Sequence, residues 1–162
     1  MFAKFVMIGS ISLTGVVGTL GASVEAGNFN TSGVVCQNYN AAEALDVDYL
    51  TSGVRNINPA PRPVICSIPR APLPSTARGT FYIDGYNYGG TSTSCTVYVT
   101  TYYGNPVASL SFTETGATAG RSWDHYVSFD PGVVSTYDYV SAVCTIPGNA
   151  GGLIYGAIAM QP

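Results

Sequence analysis

Lysine is absent from residues 27–162 of this 162-residue chain, whose one lysine is Lys4. Five arginines stand against eight acidic residues in the same stretch, which leaves a net charge of −3. Proteins that bind nucleic acid need a basic stripe to neutralise phosphates, and these arginines are scattered along the chain. The composition therefore excludes nucleic acid and anionic membranes as expected partners.

Residue types that activate a nucleophile are equally scarce. His125 is the one histidine, and a serine or cysteine nucleophile normally needs a histidine as its base. The chain has no Gly-x-Ser-x-Gly motif and no Cys-x-x-Cys pair, so the usual signatures of a serine hydrolase and of a zinc site are missing. We therefore expect no catalytic residue, no metal and no cofactor, and interpret His125 as structural.

The N-terminus is typical of a secretory signal peptide. Lys4 precedes an uncharged apolar stretch over 6–22, and Val24 and Ala26 give small or medium residues before a cut after Ala26. The apolar stretch contains four glycines and falls short of the ~20 strongly apolar residues that span a bilayer. The sequence predicts a signal peptide over 1–26 and one secreted domain over 27–162, extracellular or periplasmic.

Four cysteines, an even number, lie in the secreted part: Cys36, Cys66, Cys95 and Cys144. In an oxidising compartment this count predicts two disulfides, for which three pairings exist. We favour Cys36–Cys66 with Cys95–Cys144, because each cysteine then bridges to the nearest candidate strand without crossing the other loop.

Nine stretches are rich in Val, Ile, Thr, Tyr or Phe and bounded by Gly, Pro, Asn or Ser, which predicts strands. Helical periodicity is limited to a short turn at 40–44. This pattern indicates an all-β fold, an antiparallel β-sandwich of about eight to nine strands with two disulfides. The candidate strands are 33–37, 46–50, 63–68, 79–86, 94–103, 107–113, 123–130, 139–146 and 152–160.

Alternation within the strands predicts which side chains face outward. Exposed aromatic side chains can stack on sugar rings or anchor a protein interface. We therefore hypothesise a non-catalytic extracellular or cell-surface protein that binds a glycan or a protein, or self-assembles, through a tyrosine-rich sheet face. The tyrosines at outward positions are Tyr82, Tyr86, Tyr98, Tyr102 and Tyr126.

Several short segments of the chain resemble a group of small secreted bacterial proteins. These segments are Val34-Val35-Cys36, the Val-x-Cys-x-x-x-Arg segment from Val64 to Arg70, Cys95-Thr96-Val97-Tyr98, and Val143-Cys144-Thr145-Ile146-Pro147. The resemblance implies a bacterial secreted β-sandwich with this four-cysteine pattern. It transfers no catalytic residue.

Two further functions stay open from the sequence. Paired carboxylates can hydrolyse a glycosidic bond, so Asp84 and Asp124 would serve a small secreted hydrolase. The proline-rich stretch Asn58–Ser75 would suit an inhibitor loop that inserts into a partner's cleft.

Asp46 and Asp48 share one face of a predicted strand, which fits a weak Ca²⁺ site. Solvated surface charge is the simpler interpretation of all these acidic residues.

Overall fold

Eleven strands form two antiparallel sheets in the computed structural model, which describes residues 28–160. The predicted signal peptide lies outside the described residues. Sheet A contains β1 (Phe29–Ser32), β3 (Val47–Leu50), β4 (Gly53–Asn56), β6 (Gly79–Asn87), β9 (Arg121–Phe129) and β11 (Gly152–Met160). Its order is β3-β4-β11-β6-β9, and β1 pairs with the second half of β11.

Sheet B contains β2 (Gln37–Asn38), β5 (Arg62–Ser67), β7 (Ser92–Thr100), β8 (Pro106–Thr115) and β10 (Tyr139–Ile146), in the order β2-β5-β10-β7-β8. Short 3-10 helices cover Gly33–Val35 and Ala41–Asp46. Within residues 28–160, no helix has the length and apolarity needed to cross a membrane. The predicted all-β antiparallel sandwich is confirmed, and it includes three short strands that the sequence pattern does not predict, β1, β2 and β4.

The core lies between the sheets because the strands alternate apolar inward and polar outward residues. On β6, Phe81 and Ile83 are fully buried, and Phe81 packs edge-to-face on Phe129 of β9. On β7, Val97 and Val99 are equally buried. This alternation also fixes which tyrosines of each strand face solvent.

Both disulfides have the favoured pairing. Cys36 bonds to Cys66, and Cys95 bonds to Cys144, which lies directly opposite it on the neighbouring strand. All four cysteines are buried. Cys95 and Cys144 therefore lie on the inward faces of their strands.

The predicted strand over 33–37 is wrong. Residues Gly33–Val35 form a 3-10 turn, in which the Ser32 side chain accepts the Val34 N–H and the Cys36 N–H donates to the Gly33 carbonyl. A side chain at Gly33 is impossible without a shift, since its Cβ would lie 2.2 Å from the Ile154 carbonyl oxygen of β11. The backbone must turn here so that Cys36 can reach Cys66.

Candidate binding site

The five predicted tyrosines do not share one face. Tyr82 and Tyr86 of β6 and Tyr126 of β9 lie on the outer face of sheet A. Tyr98 lies on the outer face of sheet B, on β7 opposite Ser109 and Ser141. Tyr102 follows the end of β7. The single tyrosine-rich face expected from the sequence is thus two separate surfaces on opposite sides of the sandwich.

On sheet A, Tyr82 and Tyr126 occupy directly opposed positions of β6 and β9. Their ring centroids are 5.3 Å apart at an interplanar angle of 64°, the edge-to-face arrangement that aromatic pairs prefer. Tyr126 remains 52% exposed. The neighbouring hydroxyls of Ser128 and Thr80 hold the pKa of Tyr126 below its ordinary value. The pair therefore presents an ordered aromatic surface to solvent.

Two residues further along the same strands, Asp84 lies opposite Asp124. Burial, and then the adjacent Asp124 carboxyl, raise the pKa of Asp84 to about 7. Oδ1 of Asp84 is buried and has no hydrogen-bond donor while both carboxyls are ionised. Because a single proton would supply that donor, the two carboxyls are expected to behave as a coupled pair.

Tyr86 continues the row along β6. Its ring packs on Tyr88 with centroids 4.4 Å apart, and its hydroxyl donates a long 3.4 Å hydrogen bond to the Ala119 carbonyl. We call the set Tyr82, Asp84, Tyr86, Asp124 and Tyr126 the tyrosine–carboxyl face. It combines three of the predicted binding residues with both carboxylates that the sequence offered for hydrolysis.

The outer face of sheet B around Tyr98 has a different chemistry. Hydroxyl pairs bridge β7 and β8 at 2.8, 2.9 and 2.8 Å: Ser92 with Thr115, Ser94 with Thr113, and Thr96 with Ser111. Since these hydroxyls form hydrogen bonds with one another, they have less capacity to form hydrogen bonds with a ligand. Tyr98 therefore lies on a surface made mainly of serine and threonine hydroxyls.

His125 is not part of the tyrosine–carboxyl face. Its side chain lies on the inner side of β9, where the ring stacks on Phe112 of β8 at 3.7 Å and Nδ1 lies 2.7 Å from a Glu114 carboxylate oxygen. This contact closes the open edge between the two sheets. The geometry matches the structural interpretation of His125.

The carboxylates considered for calcium are engaged with arginines. Asp48 lies 2.8 Å from Arg55, and Asp46 lies 2.6 Å from Arg62. Hydrogen bonds from Arg62 and then Asn58 hold the pKa of Asp46 below its ordinary value. The two carboxylates therefore serve separate ion pairs and do not converge on one site.

Sequence reasoning missed two tyrosines that the structure places beside Tyr102. Tyr137 and Tyr139 line the same groove as Tyr102, at the end of sheet B. The alternation of β10, with Val140 and Ala142 buried, places Tyr139 outward and was a usable signal. Tyr137 lies in a loop, where no periodic pattern identifies the exposed side.

Two solved structures that are similar to this chain are carbohydrate-binding modules. The C-terminal CBM6 of LamC, a marine laminarinase from Zobellia galactanivorans, is 16% identical with a TM-score of 0.45, over 83% of this chain and 100% of that one. A family 35 carbohydrate-binding module from Clostridium thermocellum is 17% identical with a TM-score of 0.46, over 85% and 100%.

The isomalto-dextranase of Arthrobacter globiformis T6, complexed with panose, is 12% identical with a TM-score of 0.47, over 82% of this chain and 23% of that one. No protein-family model and no curated protein sequence matches the chain. Identities and TM-scores this low carry no argument about ligand or activity.

Proposed function

We propose that the protein is a non-catalytic extracellular module that binds a glycan on the tyrosine–carboxyl face. The observation that carries the proposal is the juxtaposition of the Tyr82–Tyr126 pair with Asp84 and Asp124 on one exposed sheet face. Two disulfides are typical of proteins from oxidising compartments and support the extracellular location.

The chemistry of a sugar ring suits this face. Its C–H surface packs on an aromatic ring, and tyrosine supplies large contact area at a small cost in conformational entropy. Its hydroxyls can donate hydrogen bonds to a carboxylate, the strongest acceptor among side chains. Tyr126 offers the ring, and Asp124, which is exposed, offers the acceptor two register positions away on the same face.

The same carboxyl pair favours one alternative, a carboxylate-dependent hydrolase. Glycosidases hold their two carboxyls about 5 Å or more apart so that the scissile bond lies between them. Asp84 and Asp124 instead interact directly, on an open sheet surface. This geometry supports binding over glycoside hydrolysis.

The inhibitor alternative has less support from the geometry. Residues Arg62–Ser67 of the proline-rich stretch form strand β5, between β2 and β10. Just before β5, the Asn56 side chain accepts the Asn58 N–H and donates to the Ala60 carbonyl. These hydrogen bonds hold the start of the proline-rich stretch against the domain. An insertion loop would need to project from the body of the protein.

A glycan array with the secreted domain tests the proposal. Tyr126→Ser and Tyr82→Ser should each weaken binding of the recognised glycan about tenfold or more, since a tyrosine anchor typically contributes 1–2 kcal/mol or more. Tyr98→Ser, on the opposite sheet, is the matched control and should bind as the wild type does. If Tyr126→Ser and Tyr82→Ser bound the glycan as tightly as Tyr98→Ser does, the proposal would be contradicted.

Two further measurements separate the other functions. Glycoside or ester hydrolysis that is lost in Asp124→Asn would establish the hydrolase in place of the binding module. Concentration-dependent sedimentation that is lost in Tyr126→Ser, without any glycan signal, would establish self-assembly through the same face.

A further inference from the structure

Strand β8 is a free edge of sheet B. Within residues 28–160 it pairs with β7 on one side and with no strand on the other. Its ten residues make it the longest of the described strands. Glu114 is its one charged residue, and the carboxylate lies 2.7 Å from His125 on the inner side of the sandwich. A long edge strand with little charge is a template on which another strand can pair.

The other sheet edges of the described chain are short or charged, and both features discourage pairing with another chain. Strand β2 has two residues, and β1 and β3 have four each. Strand β9 is long, but Arg121 and Asp124 are exposed charged residues on it. Strand β8 is uncharged over 106–113 and therefore lacks both forms of protection.

The register of β8 with β7 shows which backbone groups face the free edge. Gly116 donates its N–H to the Thr91 carbonyl, in register with the ladder that follows. In an antiparallel ladder, successive residues direct their backbone groups alternately toward and away from the partner strand. The even-numbered residues of β8 therefore bond to β7. The residues that direct their N–H and C=O to the free edge are Ser109, Ser111 and Thr113.

The inner side of this edge is uncovered at Leu110. Leu110 lies opposite Val97 and faces the same way, yet it is 42% exposed while Val97 is fully buried. Two residues further along, Phe112 stacks on His125 and closes the gap between the sheets. An apolar side chain without cover therefore lies near the middle of the free edge.

We propose that β8 pairs with β8 of a second copy of this chain, antiparallel about a two-fold axis at Leu110. Each Leu110 then lies opposite the Leu110 of the other copy and covers it. Ser109 lies opposite Ser111 of the other copy, so the backbone groups that face the edge meet as hydrogen-bonded pairs. Glu114 lies opposite Pro106 of the other copy, so no like charges meet.

The edge is self-complementary, and this property favours a second copy over an unrelated strand. A two-fold interface brings the same surface of both molecules together, so each side chain must tolerate its mate. The outer side chains do so, because Ser109 and Ser111 would meet as the Thr96 and Ser111 hydroxyls already do within the sheet at 2.8 Å. A hydroxyl has one donor and two acceptor sites, so Ser111 can serve both contacts.

Sedimentation velocity of the secreted domain over a wide range of concentration tests this inference. The wild type should show a monomer–dimer equilibrium. Ser109→Pro removes an N–H that faces the free edge and leaves the bonds to β7 in place, as proline on an edge strand can. Its dimer dissociation constant should rise at least tenfold. Ser109→Ala keeps the N–H and should dimerise as the wild type does.

A second pair of variants tests the side-chain contact. Leu110→Lys brings two like charges together at the two-fold axis, so its dissociation constant should also rise at least tenfold. Leu45→Lys is the matched control, because Leu45 is 91% exposed and lies away from β8 in the 3-10 helix Ala41–Asp46. Tryptophan fluorescence like that of the wild type shows that each variant keeps its fold.

Three outcomes overturn the inference. The first is a wild type that stays monomeric at every concentration. The second is a dimer that survives both Ser109→Pro and Leu110→Lys. The third is a dimer that is lost in Tyr126→Ser, which would place the contact on the tyrosine–carboxyl face of sheet A. Glycan binding enters none of these measurements, so failure here leaves the proposed function standing.

Discussion

Asp84 of β6 and Asp124 of β9 lie directly opposite each other on the outer face of sheet A, and the pKa of Asp84 is raised to about 7. Burial is the main cause and the adjacent carboxyl the second. The folded protein therefore holds a proton that the unfolded chain, with an ordinary aspartate, releases near pH 4.

This difference makes stability depend on pH. Because the folded state binds the proton more tightly, the contribution of Asp84 to stability is most favourable below about pH 4 and is lost as the pH rises to about 7. Asp84→Asn removes the dependence. Since the side chain is only partly buried, solvent screening limits the expected gain above pH 7 to roughly 1–2 kcal/mol.

Urea unfolding at pH 4.5, 6 and 8 measures this effect. The difference between Asp84→Asn and the wild type should grow with pH and then level off. Asp130→Asn, an exposed carboxylate beside Arg78, is the control and should follow the wild-type profile between pH 6 and 8. A constant difference between Asp84→Asn and the wild type across all three pH values would contradict the coupled pair.

Gly85 is the inward residue of β6 directly opposite Trp123. A Cβ at position 85 would lie 2.2 Å from a ring carbon of Trp123 and 2.7 Å from the Leu153 carbonyl oxygen. Gly85→Ala should therefore cost about 2–4 kcal/mol, because the indole has to move within a packed core. Trp123 is the only tryptophan, so its fluorescence reports the displacement directly.

Gly89→Ala is the comparison for that substitution. It has a φ of +52° and open space around the added methyl group, so only the left-handed backbone is penalised, by about 1 kcal/mol. The tryptophan emission of Gly89→Ala should match the wild type. Equal losses of stability in the two variants would mean that Trp123 does not press on Gly85.

Asn87 joins the two sheets through its fully buried side chain. Its amide nitrogen donates to the Glu114 carbonyl of β8 at 2.8 Å, and its oxygen accepts the Thr93 hydroxyl of β7 at 2.6 Å. Asn87→Ala leaves both partners unsatisfied and should cost roughly 2–4 kcal/mol in chemical unfolding. Adding Thr93→Val removes one orphaned group, so the double variant should lose less than the sum of the single losses.

The strands could be predicted wherever the alternation of inward apolar and outward polar residues extended over enough residues. The boundaries of β10 and β11 agree with the sequence pattern, and the buried Cys95 and Cys144 follow from it. Strands β1, β2 and β4 have two to four residues, too few for a period of two to stand out. They form because neighbouring backbones on β5 and β11 offer pairing sites.

The candidate site was less accessible from sequence because alternation does not say which strands are neighbours. Alternation correctly predicted that Tyr82 and Tyr98 face outward. Tyr82 lies on β6 and Tyr98 on β7, however, and these two strands belong to different sheets. The pairing of Tyr82 with Tyr126 depends on the register of β6 with β9, which joins residues far apart in the chain. Tyr137 is placed by its loop, which a distant arginine anchors.

That arginine, Arg70, anchors the loop through two of its backbone carbonyls, those of Ser135 and Asp138, and also donates to the carbonyl of the adjacent Ala71. Arg70→Lys keeps the positive charge and loses the planar arrangement of donors, so it cannot satisfy these carbonyls together. Amide hydrogen exchange should therefore speed up in residues 135–138, and stability should fall by about 1–3 kcal/mol. Arg78→Lys, whose ion pair with Asp130 is exposed, is the matched control and should change neither measurement. Unchanged exchange in Arg70→Lys would show that the loop holds its position without the guanidinium, and the groove would then owe its shape to the disulfide-linked sheet alone.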